Sequence, residues 1–170
     1  YELMLTPLQL LTFYNAVAND GIRVEPHLVE SVTYNGKLIK KNKQQTSAKS
    51  IAGKIAIQQA KAMLRHVVED PHGTAHSIRS EFVPLAGKTG TAKLYIDGSF
   101  SNANQAMFAG YFPADRPVYS CIVMIYHPKG IYRTGGSIAA PVFRAIADRA
   151  ISSDPHCAVL LNNKVASKKS

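Results

Sequence analysis

The segment 85–93, with the sequence Leu-Ala-Gly-Lys-Thr-Gly-Thr-Ala-Lys, constrains the fold most because its centre fits two unrelated structures. A Lys-Thr pair after Gly87 is typical of a phosphate-binding loop, but such a loop requires glycine at position 82, which here is Phe82. The flanking stretches 82–86 and 92–96 are mostly apolar and predict an extended strand with small residues at its middle. No amphipathic helix follows the segment, so we favour the strand over the nucleotide-binding loop.

The centre of this strand carries groups suited to binding an extended peptide with a free carboxylate. A strand at the rim of a cleft can bind such a peptide by edge pairing, and Gly90 allows close approach because it lacks a Cβ. Lys88 supplies a positive charge, and the hydroxyls of Thr89 and Thr91 can donate to a carboxylate. The N–H of Thr91 can stabilise a developing oxyanion. An ordinary glycine-containing strand with a solvent-facing lysine would have the same sequence. Support for a binding role must therefore come from elsewhere in the chain.

Support comes from several short stretches that are spread over most of the chain. They are 5–11, 14–21, 26–29, 73–75, 87–92, 107–115 and 139–143. In this order they resemble the C-terminal half of the transpeptidase domain of class B penicillin-binding proteins, and their details are most similar to the division-type (septal) branch. The Lys-Thr-Gly strand is one of the signatures of such enzymes. The resemblance implies an α+β fold like that of penicillin-binding proteins and serine β-lactamases, with an antiparallel sheet packed by helices.

The same resemblance implies a peptidoglycan D,D-transpeptidase that cross-links cell-wall stem peptides by serine acyl transfer and uses no cofactor. The residues it places on the catalytic strand are Lys88, Thr89, Gly90 and Thr91. The residues it implies in substrate binding are Lys88, Thr89 and Thr91, together with Tyr132 and Arg133 of the glycine-containing loop 130–136. Expected partners are stem peptides, β-lactam antibiotics, and membrane proteins of cell division or wall synthesis. The expected location is the periplasmic face of the bacterial cytoplasmic membrane, with an N-terminal anchor outside this sequence.

Two signatures of that family are missing from the 170 residues. No serine is followed by Lys three positions on or by Asn two positions on, and the nearest imitation, 46–49, begins with Thr46. We therefore expect the nucleophile to lie upstream, with residues 1–152 forming the C-terminal portion of one transpeptidase domain and 153–170 a polar basic tail. On this basis the chain alone is predicted to be inactive. The alternative is a non-catalytic peptidoglycan-binding or scaffold module of the same fold.

Composition is that of a folded globular piece, with 46% hydrophobic and 18% charged residues. The sequence contains no apolar run of about 18 residues, the length expected of a helix that spans a membrane. Part of a domain buries less surface than a whole one, so we expect one face of the sheet to be poorly covered.

The net charge of +9 comes partly from lysines near residues 37–49 and 164–169. No aromatic interleaving or nucleic-acid motif accompanies them, so we expect solvated surface, with attraction to anionic lipid or wall polymer second. Metal binding is not expected, because His66, His72 and His76 lack the pattern of a metal site. Both cysteines are expected to be free thiols.

Local patterns predict most of the elements. Thr6, Pro7 and Gln9 form a capping box that opens a helix to about Asn19, apolar enough all round to be buried. Asn35-Gly36 joins extended stretches 28–34 and 37–40 as a hairpin. The remaining predictions are a helix over 55–69, antiparallel strands over 85–96, 106–112 and 118–127, and a helix over 140–151. That last helix is expected to pack through Val142, Phe143, Ile146 and Ile151.

Overall fold

A computed structural model describes residues 5–157 apart from residues 97 and 156. Its helices and strands, in chain order, are α1 (Pro7–Ala18), β1 (Ser31–Tyr34), β2 (Lys37–Lys41), α2 (Lys54–Glu69), β3 (Ala86–Ile96), β4 (Ser99–Phe112), β5 (Tyr119–Tyr126) and α3 (Ala140–Ser153). A short 3₁₀ helix covers His76–Ile78, and a π-helical turn, Gly135–Ala139, leads directly into α3. None of the described helices has the length and apolar character that a membrane crossing requires.

Helix α1 begins with the predicted capping box. The Thr6 hydroxyl accepts from the Gln9 N–H at 3.2 Å, and the Gln9 side-chain oxygen accepts from the Thr6 N–H at 2.9 Å. The expectation that this helix is buried is wrong, since Leu8 is 55% exposed and Phe13 is 54% exposed. Full burial is confined to the last turn, 16–18. An apolar surface all round a helix shows what the helix can bury, but not which side its neighbours in the fold cover.

The predicted hairpin forms a separate two-stranded sheet. Asn35 and Gly36 have φ values of +46° and +76°, as a tight hairpin turn requires, and this confirms the turn. Strand β1 starts at Ser31, three residues later than predicted. Every residue of both strands is exposed.

The central sheet has the antiparallel order β3-β4-β5. Residue Lys88 pairs with Ala109 inside this ladder, so the segment is a strand, as predicted, and not a phosphate-binding loop. Strand β4 starts at Ser99 and is longer than the predicted 106–112. Its polar first half, 99–105, has little strand propensity, but pairing with the second half of β3 extends it.

The two faces of the central sheet are packed by different helices. Helix α3 and the π-helical turn cover one face, where the main core lies. Helices α1 and α2 contact the other face, where Tyr111 packs with Ala18 and Ala86. Burial raises the pKa of Tyr111 to about 12. The expectation of one poorly covered face is therefore wrong at the centre of the sheet.

Helix α3 packs on the sheet through a stripe that differs in part from the predicted one. Its buried residues are Ala140, Phe143, Ala147 and Ile151. Val142 and Ile146 are 43% and 41% exposed, because each lies one residue, or about 100° of helix rotation, before a buried position. Cys157, which is 2% exposed, still belongs to the main core. It and Cys121 are free thiols, as predicted.

Candidate active site

Strand β3 lies at one edge of the central sheet, where β4 is its only neighbour among the described strands. Side chains alternate between the two faces of a strand. Lys88 and Gly90 therefore lie on the side of α1 and α2, and Thr89 and Thr91 lie on the side of the π-helical turn. The four predicted residues are thus presented around an edge that a peptide can reach.

Lys88 is exposed, and its ammonium group bends toward the next residue. Nζ donates to the backbone carbonyl of Thr89 at 3.0 Å and to the Thr89 hydroxyl oxygen at 3.4 Å. Among the described residues, no carboxylate forms an ion pair with Lys88. Its ammonium group is therefore not engaged by a carboxylate at the edge of the sheet.

Thr89 receives a second contact from a different part of the chain. Its hydroxyl lies 2.9 Å from the hydroxyl of Thr74, which belongs to the loop between α2 and the 3₁₀ helix. Three polar groups, the Lys88 ammonium and two hydroxyls, therefore meet at this point of the edge.

Thr91 is held by the π-helical turn. Its hydroxyl oxygen accepts a hydrogen bond from the N–H of Gly135 at 3.0 Å. Gly135 sits so close to β3 that an added Cβ would lie 2.5 Å from the Gly90 carbonyl oxygen and 2.2 Å from that of Met107. Only glycine permits this approach. The turn therefore fixes the position of the Thr91 hydroxyl through a backbone contact.

A cleft of about 560 Å³ opens beside Lys88. It is lined by Ala62, Met63, His66, Val67, Asp70, His72, Gly73, Thr74 and Lys88. Within the part of the chain that the structure describes, no group of three or more His, Cys, Asp or Glu side chains is placed to hold a metal ion. His66 and His72, which line this cleft, are exposed.

Tyr132 and Arg133, the other predicted substrate-binding residues, lie in the loop before the π-helical turn. The Tyr132 ring is 67% exposed. The Arg133 guanidinium donates to the Gly130 carbonyl within the same loop. In the described structure neither side chain hydrogen-bonds to the four residues of β3, so their part in substrate binding stays a prediction.

Thr74 and Gly135 were not predicted as site residues. Thr74 belongs to the stretch 73–75 that carries the family resemblance, and Gly135 is the first glycine of an adjacent pair in the loop before α3. Both signals were visible, but neither shows which strand the residue contacts.

Comparison with known proteins identifies the family of this chain. The family model described as the penicillin binding protein transpeptidase domain matches residues 1–148. The chain belongs to this family. It is 32% identical to penicillin-binding protein PbpB of Mycolicibacterium smegmatis over 154 residues, with 85% of this chain and 24% of the relative covered. It is 29% identical to the peptidoglycan D,D-transpeptidase FtsI of Buchnera aphidicola over 150 residues, with 88% and 25% covered. The chain thus spans about a quarter of the length of these relatives.

Solved structures show the same fold, as the sequence predicted. Penicillin-binding protein 2B of Streptococcus pneumoniae matches with a TM-score of 0.71 and 25% identity, over 88% of this chain and 25% of the other. The transpeptidase domain of the FtsI4 D,D-transpeptidase of Legionella pneumophila matches with a TM-score of 0.61 and 29% identity, over 86% and 47%. The mixed helical and antiparallel architecture is therefore that of penicillin-binding transpeptidase domains.

Proposed function

We propose that this chain supplies the substrate-carboxylate side of the active site in a serine-type peptidoglycan D,D-transpeptidase. The observation that supports this best is the group formed by the Lys88 ammonium and the hydroxyls of Thr89 and Thr91 at the open edge of β3. A fixed positive charge flanked by hydroxyl donors is suited to a carboxylate. In a stem peptide that carboxylate belongs to the terminal D-Ala. In a penicillin it is the carboxylate carried by the ring that is fused to the β-lactam.

The reaction proceeds by acyl transfer. A serine of a Ser-x-x-Lys segment attacks the carbonyl of the penultimate D-Ala, the peptide C–N bond breaks, and the terminal D-Ala leaves with a proton as the free amine. An amine of a neighbouring stem peptide then attacks the resulting ester, forms the cross-link and returns the proton to the serine. The residues of this chain hold the terminal carboxylate during the first step, and the Thr91 N–H donates to the oxyanion that develops in each step.

The role of Lys88 is tested by replacing it in a protein that joins this chain to the Ser-x-x-Lys and Ser-x-Asn segments. We expect Lys88→Ala to cost about 2–4 kcal/mol in the acylation barrier, because a charge aimed at the reacting ligand is lost. Folding should change little, since Lys88 is exposed and outside every described ion pair. The measurement is the second-order rate of acylation by a labelled penicillin, beside a thermal unfolding curve.

A matched control is Lys40→Ala, which removes the same charge from an exposed strand of the separate β1–β2 hairpin. It should leave acylation within about twofold of the parent, since exposed charges far from a site act weakly through solvent. Equal acylation by the parent and Lys88→Ala would show that the match to the Lys-Thr-Gly signature is accidental. Acylation that falls equally in both variants would assign the effect to net charge.

The division-type role belongs to the same proposal. It rests on the details of the ordered stretches, which are most similar to the septal branch. The proposed partners are stem peptides, β-lactams and membrane proteins of division or wall synthesis, and the proposed location is the periplasmic face of the cytoplasmic membrane. The experiment for this part is the site of accumulation of a fluorescent fusion of the complete protein during septation.

A further inference from the structure

We propose that Thr74 is a positioning residue for the substrate carboxylate, because it directs the hydroxyl proton of Thr89 outward from β3. This inference rests on the proposed function, since it assigns to Thr89 a carboxylate as its ligand. Thr74 itself touches no reacting atom in this scheme. It acts through the oxygen-to-oxygen contact of 2.9 Å with Thr89.

The number of donors and acceptors at Thr89 sets the direction of this hydrogen bond. A hydroxyl has one proton to donate and two lone pairs to accept with, whereas an ammonium group only donates. Lys88 Nζ, at 3.4 Å, therefore occupies one lone pair of the Thr89 oxygen. An ionised carboxylate only accepts, so binding one requires the Thr89 proton. The second lone pair of Thr89 is then left for the proton of Thr74.

The result is a directed relay in which Thr74 donates to Thr89 and Thr89 donates to the carboxylate. Hydrogen bonds arranged in this way polarise one another, so the last donor is stronger than an isolated hydroxyl. Without the Thr74 hydroxyl, the second lone pair of Thr89 loses its donor. The orientation of the Thr89 hydroxyl is then set only by the longer contact from Lys88.

The backbone around Thr74 is clamped, which leaves only its side chain to adjust. The Ala75 N–H donates to the Val67 carbonyl of α2 at 3.0 Å, and Ala75 is fully buried. On the other side, a Cβ on Gly136 would lie 2.4 Å from the Thr74 carbonyl oxygen, so the π-helical turn packs directly on this peptide. Thr74 therefore presents its hydroxyl from a support built by α2 and the turn together.

Thr91 has an equivalent arrangement. Its oxygen accepts from the Gly135 N–H at 3.0 Å, and a backbone N–H can only donate. The Thr91 proton is thereby also left for a ligand. In this arrangement each of the two hydroxyls at the edge of β3 accepts a hydrogen bond from a neighbouring element, Thr89 from the loop after α2 and Thr91 from the π-helical turn.

The test uses the protein that comprises this chain and its Ser-x-x-Lys segment, and measures acylation by benzylpenicillin. Thr74→Val keeps the shape of the side chain and removes the hydroxyl, and we expect about tenfold slower acylation, the upper end of the scale for one lost hydrogen bond between neutral groups. Thr74→Ser keeps the hydroxyl and should stay within about twofold of the parent. Thr74→Ala should match Thr74→Val, and the melting temperatures of all three variants should lie close together because Thr74 is exposed.

Two further measurements distinguish positioning from a structural role. In a protein that already carries Thr89→Val, adding Thr74→Val should cause no further loss, since the relay has already lost its second member. With the methyl ester of benzylpenicillin, which lacks the carboxylate, the parent and Thr74→Val should acylate at the same rate. A structural defect would slow both ligands and both backgrounds.

The outcomes separate this inference from the proposed function. A parent protein that is not acylated overturns the proposed function and this inference with it. A parent that is acylated normally, with Thr74→Val at the parent rate or Thr74→Ser as slow as Thr74→Val, overturns the inference alone. An equal loss on the penicillin and its ester also overturns it, because the effect is then independent of the carboxylate.

Discussion

At the residue scale, Gly90 and Gly110 differ in which atoms an added Cβ would meet. An added Cβ at this position would lie 2.7 Å from the terminal methyl group, Cε, of Met107, which is the flexible end of a long side chain. At Gly110 on the neighbouring strand β4, an added Cβ would lie 2.1 Å from the Ala86 carbonyl oxygen, which is backbone and cannot move aside. The two glycines therefore have different structural reasons to be glycine.

We expect Gly90→Ala to leave the free energy of unfolding unchanged or slightly raised, because Met107 can rotate away and glycine weakens a strand interior. If β3 binds substrate as proposed, acylation by a penicillin should fall, because the added methyl group would obstruct the approach of the ligand to this strand. Gly110→Ala should instead destabilise the fold by about 1–3 kcal/mol, the usual cost of forcing extra volume against packed atoms. Chemical denaturation and acylation rates of both variants in the complete protein provide the measurements.

Gly110→Ala is the control that shows how a purely steric effect behaves in the same sheet. If Gly90→Ala is as stable as the parent and is acylated as fast, Gly90 has no role in ligand approach. Met107, the pairing partner of Gly90, is only partly buried, so its side chain should be able to move. If both variants lose stability equally, the packing around Met107 is more rigid than this exposure suggests.

At the scale of elements, the described core continues past the last residue of α3. The predicted boundary follows residue 152, and the described core includes Cys157, which is 2% exposed. Asp154 accepts a hydrogen bond from the Tyr119 hydroxyl at 2.7 Å, which ties the end of α3 to β5. Burial raises the pKa of the Cys157 thiol, so it acts as a small apolar side chain.

We therefore expect a chain that ends after residue 152 to be less stable than one that ends after residue 157, by about 1–2 kcal/mol. The difference reflects the loss of the buried thiol and of the bond between Asp154 and Tyr119. Thermal unfolding of the two chains is the measurement. Cys157→Ala in the longer chain serves as a control for the buried side chain alone. Equal melting temperatures for the two lengths would support the boundary after residue 152.

At the scale of the whole molecule, the proposed substrate-binding edge occurs in a sequence that lacks the two other signatures of the family. These 170 residues contain the Lys-Thr-Gly strand and contain neither Ser-x-x-Lys nor Ser-x-Asn. Acylation requires both parts, because binding a carboxylate positions the carbonyl but does not attack it.

We expect the 170-residue chain by itself to form no covalent adduct with a labelled penicillin, and the protein that also carries the Ser-x-x-Lys segment to form one. Intact-mass spectrometry after incubation with the drug measures both. Heat-denatured chain is the control for non-specific acylation of lysines, since the chain contains many. A stable adduct at one site of the folded 170-residue chain would contradict the assignment of the nucleophile to another segment.

Features that depend on neighbouring residues in the chain were predictable from the sequence. The capping box at Thr6 and Gln9 and the turn at Asn35-Gly36 form where expected, because each needs only residues three or fewer positions apart. The strand that carries Lys88 is likewise recognisable from its apolar flanks. Family membership followed from stretches in a fixed order, which needs no knowledge of their contacts.

Only the tertiary structure determines the contacts between distant parts of the chain. The pattern of α1 does not specify its exposed side, and that of α3 does not distinguish Val142 from Phe143, because a helix buries the side that other elements cover. The hydroxyls of Thr74 and Thr89 are 15 positions apart, and Gly135 is 44 positions from Thr91. No local pattern predicts these contacts, since only the packing of α2 and the π-helical turn on one edge of β3 brings them within hydrogen-bond distance.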